Sequence, residues 1–438
     1  MIKNLLDEKL YTRSTNKDTC IWTEGAIYGP ENLFDLYHDW GRWFTQKIDG
    51  DFSLILKNER ILIISTDVFG TRPIWIAKDN DKILAYASYA SALKKYNFDD
   101  IRKVSPNTVY FCHLQSGEIY DKIMLHKFDL DQHVNTYDRW IEKFTDAVRK
   151  RVPKDKKLFM GLSSGYDTGA IACELDNLNI PFRGYAIRAN ENLEILTKRC
   201  ALHSDCQVYQ INESEYREIK NYIQQNGEDY AGKMGRTVFK KILPDDPGYT
   251  TFTYYNYKQD KASVGNTFMF RLAAKDGYSV ALSGQGADEI ISNYGFRGIR
   301  RYSISQIGGL FPENLASIFP YGNFFNGTQD CYLTLAAYIG RLCGIETRYP
   351  FLDTDLVQEF LWLKPELKNA NYKAPIFEYL QRNGYPLEEG IKRGFRANCN
   401  LKQDRKEGEL CRPTEYTSTM TCGAGIKTSG MSLSAAVQ

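Results

Sequence analysis

The chain lacks any apolar run approaching the ~18 residues that a membrane-spanning helix needs, which predicts no membrane segment. It also lacks a surplus of either charge. Lys and Arg number 56 against 54 Asp and Glu, a formal net charge of +2, too close to neutral to draw the protein to nucleic acid or to an anionic membrane. No C-x-x-C pair occurs among the ten cysteines. In a chain of 438 residues they read as reduced, mostly buried thiols and not as a disulfide framework. Cys399, Cys411 and Cys422 lie in or near the C-terminal stretch at a spacing that matches no metal site. The opening MIKNLLDEKLYTR interleaves charged and apolar residues too finely for a signal peptide, so a cytoplasmic location is expected. There is no internal repeat, no Walker A loop and no dinucleotide fingerprint.

What is present divides into two patterns. Over 48–120 the chain consists of short apolar runs of strand length, DFSLILK, ILIIST, PIWIAK, ILAYAS and TVYFCHL, rich in β-branched and aromatic residues. Asn58-Glu59-Arg60 and Lys78-Asp79-Asn80-Asp81-Lys82 separate them as turns, which predicts an antiparallel β domain. Ahead of it, 32–46 has helical spacing, with Leu33, Leu36, Tyr37, Trp40 and Phe44 on one side. Near residue 130 the pattern changes. A helix over 137–152 leads into strand 157–162, helix 167–178, strand 182–187, helix 191–204 and strand 207–211, with helix 262–275 and strand 278–282 later. Such alternation predicts a parallel sheet flanked by helices, with ligands at the carboxyl ends of its strands. Three segments are therefore expected: 1–130, 131–395, and a flexible tail over 396–438, where Ser, Thr, Gly and Ala dominate without a period.

LFMGLSSGYDTGAIACEL carries the first chemical signal. An apolar strand ends at Leu162, and Ser163-Ser164-Gly165-Tyr166-Asp167-Thr168 turns the chain into a helix. Small residues let backbone amides approach an anion, and the helix start adds N–H donors and a favourable dipole. The Ser163 and Thr168 hydroxyls can donate to phosphate oxygens. Asp167 would repel a phosphate unless a magnesium ion lay between them. A plain capped helix start accounts for the same residues. About 120 residues later SVALSGQGADEIISNYG repeats the theme: Ser283-Gly284-Gln285-Gly286-Ala287-Asp288-Glu289 follows an apolar strand. Two such loops at one sheet edge could hold a nucleoside triphosphate, with Asp167 and Asp288 sharing magnesium.

The first segment resembles the pyrophosphate loop of the ATP pyrophosphatase group, Ser-Gly-Gly-x-Asp-Ser/Thr, and the second resembles the Ser-Gly-Glu-Gly-Ala-Asp-Glu motif of the asparagine synthetase family. IETRYPFLD over 345–353 is similar to that family's Glu-x-Arg-x-Pro-Phe-Leu-Asp, Lys373 in NYKAPIFEYL falls where the family has its catalytic lysine, and IKRGF over 391–395 resembles the end of its synthetase domain. IDGDFSLIL and TDVFGTRPIWIA resemble its glutaminase strands. The resemblance runs in order from about residue 20 to 395. It implies a degenerate glutaminase-like, Ntn-type antiparallel β domain followed by an adenine nucleotide α-hydrolase-like domain. It also implies ATP and Mg2+ as cofactors, and the adenylation of a carboxylate with release of pyrophosphate before an amine attacks. Carried over by position, Ser163, Ser164, Gly165, Asp167 and Thr168 hold pyrophosphate. Leu162, Ile187, Ser283 and Gly284 line the adenosine site, Asp167 and Asp288 bind magnesium, and Lys373 stabilises developing negative charge.

The sequence departs from the family in three places. Ser164 stands for the first glycine of the loop. Position 2 is Ile2 where glutamine-hydrolysing members have cysteine, so the N-terminal domain is not expected to hydrolyse glutamine. Gln285 replaces the family glutamate, and a neutral amide cannot take a proton from the attacking nitrogen, which leaves Asp330 and Glu346 as candidate bases. The nitrogen would come from free ammonia, from a separate glutaminase, or from an amine on a small-molecule or precursor-peptide substrate. The silent N-terminal domain and the altered second motif resemble those of β-lactam synthetases and lasso-peptide cyclases, branches of the same family, of which sugar-carboxylate amidotransferases are another. The expectation is an AMP-forming amide ligase, either amidotransferase-like or a macrocyclase or lactam former. The contrasting expectation is a catalytically silent nucleotide-binding pseudoenzyme.

Overall fold

A computed structural model describes residues 2–203, 205–238, 249–391 and 395. The stretch 396–438, with Cys399, Cys411 and Cys422, and the centre of IKRGF lie outside the described residues.

The N-terminal part builds two sheets. Its elements are β1 (Lys3–Leu5), β2 (Thr12–Asn16), β3 (Thr19–Gly29), α1 (Leu33–Trp40), β4 (Asp49–Lys57), β5 (Ile61–Thr66), β6 (Trp75–Asp79), β7 (Lys82–Ala87), α2 (Ala90–Lys94), β8 (Ile101–Lys103), β9 (Thr108–His113) and β10 (Ile119–Met124). One sheet has the order β1-β7-β6-β8 and the other β10-β9-β5-β4-β3-β2. All pairings are antiparallel except that of β1 with β7. Strand alternation explains the layering. Ile55, Leu62 and Ile64 of the larger sheet face Ile76, Ile83 and Tyr86 of the smaller. Leu54, Leu56 and Ile63 point the other way, into a second core with Phe44 and α1.

The helix expected over 32–46 is shorter than its spacing suggested. Asn32 caps α1 by accepting from the amides of Phe34 (3.0 Å) and Asp35 (3.3 Å). Gly41 then adopts φ +53° and ends the helix, and a 3-10 stretch continues to Lys47. The break turns Phe44 into the core and leaves Trp40 49% exposed.

The second part alternates as expected: α3 (Asp138–Arg151), β11 (Leu158–Gly161), α4 (Tyr166–Asn177), β12 (Arg183–Ile187), α5 (Leu193–Leu202), β13 (Cys206–Tyr209), α6 (Glu213–Asn226), β14 (Ala231–Val238), β15 (Tyr249–Asn256), α7 (Lys261–Lys275) and β16 (Val280–Leu282). After a π-helical turn over Asp288–Ser292 come the short strands β17 (Gly295–Phe296) and β18 (Ile299–Arg300). Then follow α8 (Thr328–Cys343), β19 (Glu346–Arg348), α9 (Thr354–Trp362), α10 (Pro365–Lys368) and α11 (Ala374–Arg382). The sheet β13-β12-β11-β16-β19 is parallel throughout. Leu158, Met160, Val280 and Leu282 face one core with α3, α4, α9 and α11. Phe159, Tyr185 and Ala281 face the other with α6, α7 and α8. Among the described residues no helix is long and apolar enough to cross a membrane.

One cysteine expectation is corrected. Cys200 and Cys206 are joined in a disulfide, their Cα atoms 5.2 Å apart. Cys20, Cys112, Cys173, Cys331 and Cys343 are free thiols.

The two parts meet across buried charge. Arg341 of α8 pairs with Glu24 of β3 at 2.6 Å. Arg151 at the end of α3 bridges Asp51 of β4 (3.1 Å) and Asp353 at the start of α9 (2.8 Å). All five side chains are less than a tenth exposed, and removing Arg341 or Glu24 leaves its partner's charge buried and uncompensated.

Candidate active site

The central strands β11 and β16 are hydrogen-bonded neighbours, with Leu158 opposite Val280 and Met160 opposite Leu282. Parallel and in register, they deliver the loops 163–168 and 283–289 side by side at one edge of the sheet. The loops touch. A Cβ on Gly284 would lie 2.7 Å from the Asp167 Cβ and 3.3 Å from the Thr168 amide, so only glycine permits this approach. Gly286, at φ +96°, turns the second loop past Leu352.

Lys373 closes the site. Its Nζ lies 2.6 and 2.7 Å from the two Asp167 carboxylate oxygens and 2.7 Å from Asp288 Oδ1. The Tyr372 hydroxyl also donates to Asp288, at 3.3 Å. Burial alone would push the Lys373 ammonium down, but Asp167 and then Asp288 more than offset this and hold it above the ordinary lysine range. Its backbone sits in the left-handed region, at φ +52°, just ahead of α11. A lysine held there is fixed by its surroundings, as strained residues at functional sites commonly are.

The first loop is wired internally. The Ser163 and Thr168 hydroxyls share a 2.7 Å hydrogen bond, and Ser163 Oγ accepts from the Gly165 amide at 3.1 Å. Both the amide (2.6 Å) and the hydroxyl of Ser164 donate to Glu191 Oε2. A carboxylate oxygen thus already sits on the amide face of this loop. Leu162, just after β11, and Ile187, the last residue of β12, are each 3% exposed but belong to opposite cores of the sheet. Ser283 donates its amide to Arg348 O at 2.9 Å, extending the sheet edge.

In the second loop, Gln285 Nε2 donates to the Tyr332 carbonyl at 3.2 Å, while Oε1 is buried with no partner among the described residues. Glu289, 3% exposed, accepts from the Gly286 amide (3.2 Å) and the Tyr294 hydroxyl. Burial, then the Asp288 charge, raises its pKa above the usual carboxylate range. Asp330, at the start of α8, ion-pairs with Lys103 of β8. Glu346 likewise pairs with Arg348 (2.7 Å) and Lys156 (3.2 Å). Of the residues singled out from sequence, direct contacts join Asp167, Asp288, Lys373 and Gly284, and join Ser163 to Gly165 and Thr168. Glu191 and Arg199, which grip the first loop, carried no recognisable signal, because each acts across 27 or more residues of chain.

The donor set suits a magnesium ion carried with phosphate. Two carboxylates converge on one cation position, and among the described residues no cluster of three or more His, Cys, Asp or Glu side chains forms a metal cage. Mg2+ characteristically binds through one or two carboxylates together with substrate phosphates and water.

The fold is two-part: an antiparallel β region, and an α/β region with two contacting loops at one edge of a parallel sheet. Residues 26–126 match the model of the glutamine amidotransferase domain, and residues 253–328, which include the second loop, match that of asparagine synthase. A Methanocaldococcus jannaschii protein described as glutamine-hydrolyzing asparagine synthetase 1 is 26% identical over 385 residues, covering 82% of this chain and 63% of that protein. The glutamine-hydrolyzing asparagine synthetase of Mus musculus is 23% identical over 390 residues, covering 81% and 61%. The chain therefore spans less than two thirds of the length of these relatives. A solved NMN synthetase from Francisella tularensis aligns over 60% of this chain and 100% of its own at 10% identity, with a TM-score of 0.25, too low to bear on the argument. The two domain matches, in this order, and the relatives matched along most of the chain make this chain similar to glutamine-hydrolyzing asparagine synthetases.

Proposed function

We propose that the chain is an ATP- and Mg2+-dependent amide ligase that forms an acyl-adenylate, releases pyrophosphate and then AMP, and joins the acyl group to a nitrogen nucleophile. The observation that carries this reading is the contact of Lys373 with both Asp167 and Asp288, one cluster drawn from both loops. Mg2+, when bound with ATP between these carboxylates, supplies charge neutralisation on the phosphates. Loop 163–168 receives the pyrophosphate through the Ser164 amide and the Ser163 and Thr168 hydroxyls. Leu162, Ile187, Ser283 and Gly284 line the adenosine side.

The substrate carboxylate attacks the α-phosphorus, pyrophosphate leaves, and the amine then attacks the acyl carbon and expels AMP. Lys373 stabilises the negative charge that builds in both steps, an effect worth several kcal/mol in preorganised sites. It can do so only with its ammonium freed from one or both carboxylates, whose charge a Mg2+ held by Asp167 and Asp288 would offset. Gln285 accepts an N–H of the nucleophile through its buried Oε1 but takes no proton from it. Asp330, tied to Lys103, serves as base only if that pair opens. The nitrogen comes from ammonia, supplied free or by a separate glutaminase, or from an amine on the substrate itself, as in a macrocyclisation or lactam closure.

A second reading, a silent nucleotide-binding pseudoenzyme, is favoured by the site's internal ion pairing: Glu191 on the loop amide and Lys373 between the carboxylates. A pyrophosphate-release screen over candidate acids with ATP and Mg2+, reading adducts by mass spectrometry, separates the two. Release with an adenylated or amidated product supports the ligase. Mg2+-dependent thermal stabilisation by ATP without release for any acid, with ammonia or amines present, supports the silent module.

A further inference from the structure

We infer that Arg199 is the positioning residue of the pyrophosphate loop, holding its carbonyls from behind so that its amides face the anion. This rests on the reading of loop 163–168 as the pyrophosphate site. Arg199 lies on α5 and is fully buried. Its Nη1 donates to Ser163 O (2.5 Å) and to Gly165 O (2.7 Å), and Nε and Nη2 donate to Pro386 O at 2.9 and 2.7 Å. In a trans peptide unit the C=O and N–H point in opposite directions. Ser163 O shares its unit with the Ser164 amide, and Gly165 O shares its unit with the Tyr166 amide, which opens α4 where helix amides lack an intrahelical partner. Fixing the Ser163 carbonyl on the guanidinium side therefore aims the Ser164 amide to the other side; the Gly165 carbonyl also accepts from the Gly169 amide at 3.3 Å, so Arg199 and the start of α4 together aim the Tyr166 amide. The Ser164 amide does meet an anion there, the Glu191 carboxylate.

Two further features fit a built device. Gly169, in the first turn of α4, leaves the space that the guanidinium fills: a Cβ there would lie 2.5 Å from Cζ, Nη1 and Nη2. The Pro386 carbonyl that anchors the other half of the fork is itself held. Neighbouring Tyr385 accepts or donates at His203 Nε2 (2.9 Å), His203 Nδ1 contacts Asp176 (3.0 Å), and the Gly390 amide donates to the Tyr166 hydroxyl (3.0 Å). The planar five-donor fork of arginine suits three carbonyls at once, whereas lysine offers a point charge with three donors.

The test is calorimetric binding of inorganic pyrophosphate and of ATP, each with Mg2+, to the full chain and to Arg199→Met, Arg199→Lys and Gly169→Ala, with circular dichroism as the check on folding. The wild type binds both. Arg199→Met weakens pyrophosphate binding on the order of tenfold or more, and millimolar guanidinium restores part of it, which a merely structural defect would not allow. Gly169→Ala, which keeps the charge but displaces it, weakens binding in the same direction and is not rescued. Folded variants that bind pyrophosphate as tightly as the wild type overturn the role of Arg199 and leave the nucleotide reading intact. If Arg199→Met fails to fold, Gly169→Ala decides alone. A wild type that binds neither ligand overturns the nucleotide reading and this inference with it.

Discussion

Lys368 and Lys373 stand five residues apart, each 3% exposed, and their surroundings treat them in opposite ways. Lys368 donates to the neutral oxygens of Gln132 (2.6 Å) and Leu361 (2.8 Å), and burial lowers its pKa to about 7. Lys373 is as deeply buried, yet Asp167 and Asp288 raise it above the ordinary range. Burial of a lysine is thus not what marks the site. The mark is two carboxylates, from loops 121 residues apart in sequence, gathered around one cation position. Lys368 is a strut between helices, and Lys373 is a charge held ready.

The largest expected break in this contrast is Lys373→Ala. It should lower pyrophosphate release by about a hundredfold or more, as the loss of a preorganised charge does, while Lys368→Met leaves release within about twofold. Asp167→Asn should be as damaging as Lys373→Ala. Next comes Gly284→Ala: its Cβ would meet the Asp167 Cβ at 2.7 Å, so the loops must part, and the Kd for ATP should rise on the order of tenfold, read by calorimetry. A smaller effect of opposite sign is expected of Glu191→Gln. Removing the charge that competes for the Ser164 amide should tighten pyrophosphate binding about threefold to tenfold. Unchanged or weaker binding would show that Glu191 supports the loop instead of competing for it.

The smallest effect is one of stability and pH. The folded pKa of Lys368, about 7, lies below the unfolded value of about 10.4, so between these values the unfolded chain binds a proton that the native chain does not. Stability should therefore rise with pH through that window, by at most about 1.4 kcal/mol per pH unit, and Lys368→Met should flatten the slope. Lys373 has the opposite sign: its contribution is present at neutral pH and lost only above the unfolded value.

Much of this was legible in the sequence for reasons that differ by region. Strands such as ILIIST pack into cores on both faces, so a short continuous apolar run located them. The strand-loop-helix segments around 163 and 283 follow continuous apolar runs that are buried on both faces of a parallel sheet. The helix over 32–46 was misjudged because its apolar spacing continues past Gly41, whose positive φ breaks the backbone without disturbing the pattern. Glu191 and Arg199 were illegible because an acid near a helix start and a cation within a helix are ordinary in sequence. Only the fold places one before the loop and the other behind it. Asp330 was plausible by position, but its pairing with Lys103 crosses between the two parts of the chain, a contact no local pattern encodes.

The most direct test of whether the two loops serve one ligand is a double-mutant cycle on Mg2+-dependent ATP binding with Asp167→Asn, Asp288→Asn and the combined variant, measured by calorimetry. If both carboxylates serve one metal-bound phosphate, the losses are strongly non-additive, with a coupling of about 1 kcal/mol or more. Losses that add to within about 0.5 kcal/mol would mean the two loops act independently, and would contradict the account.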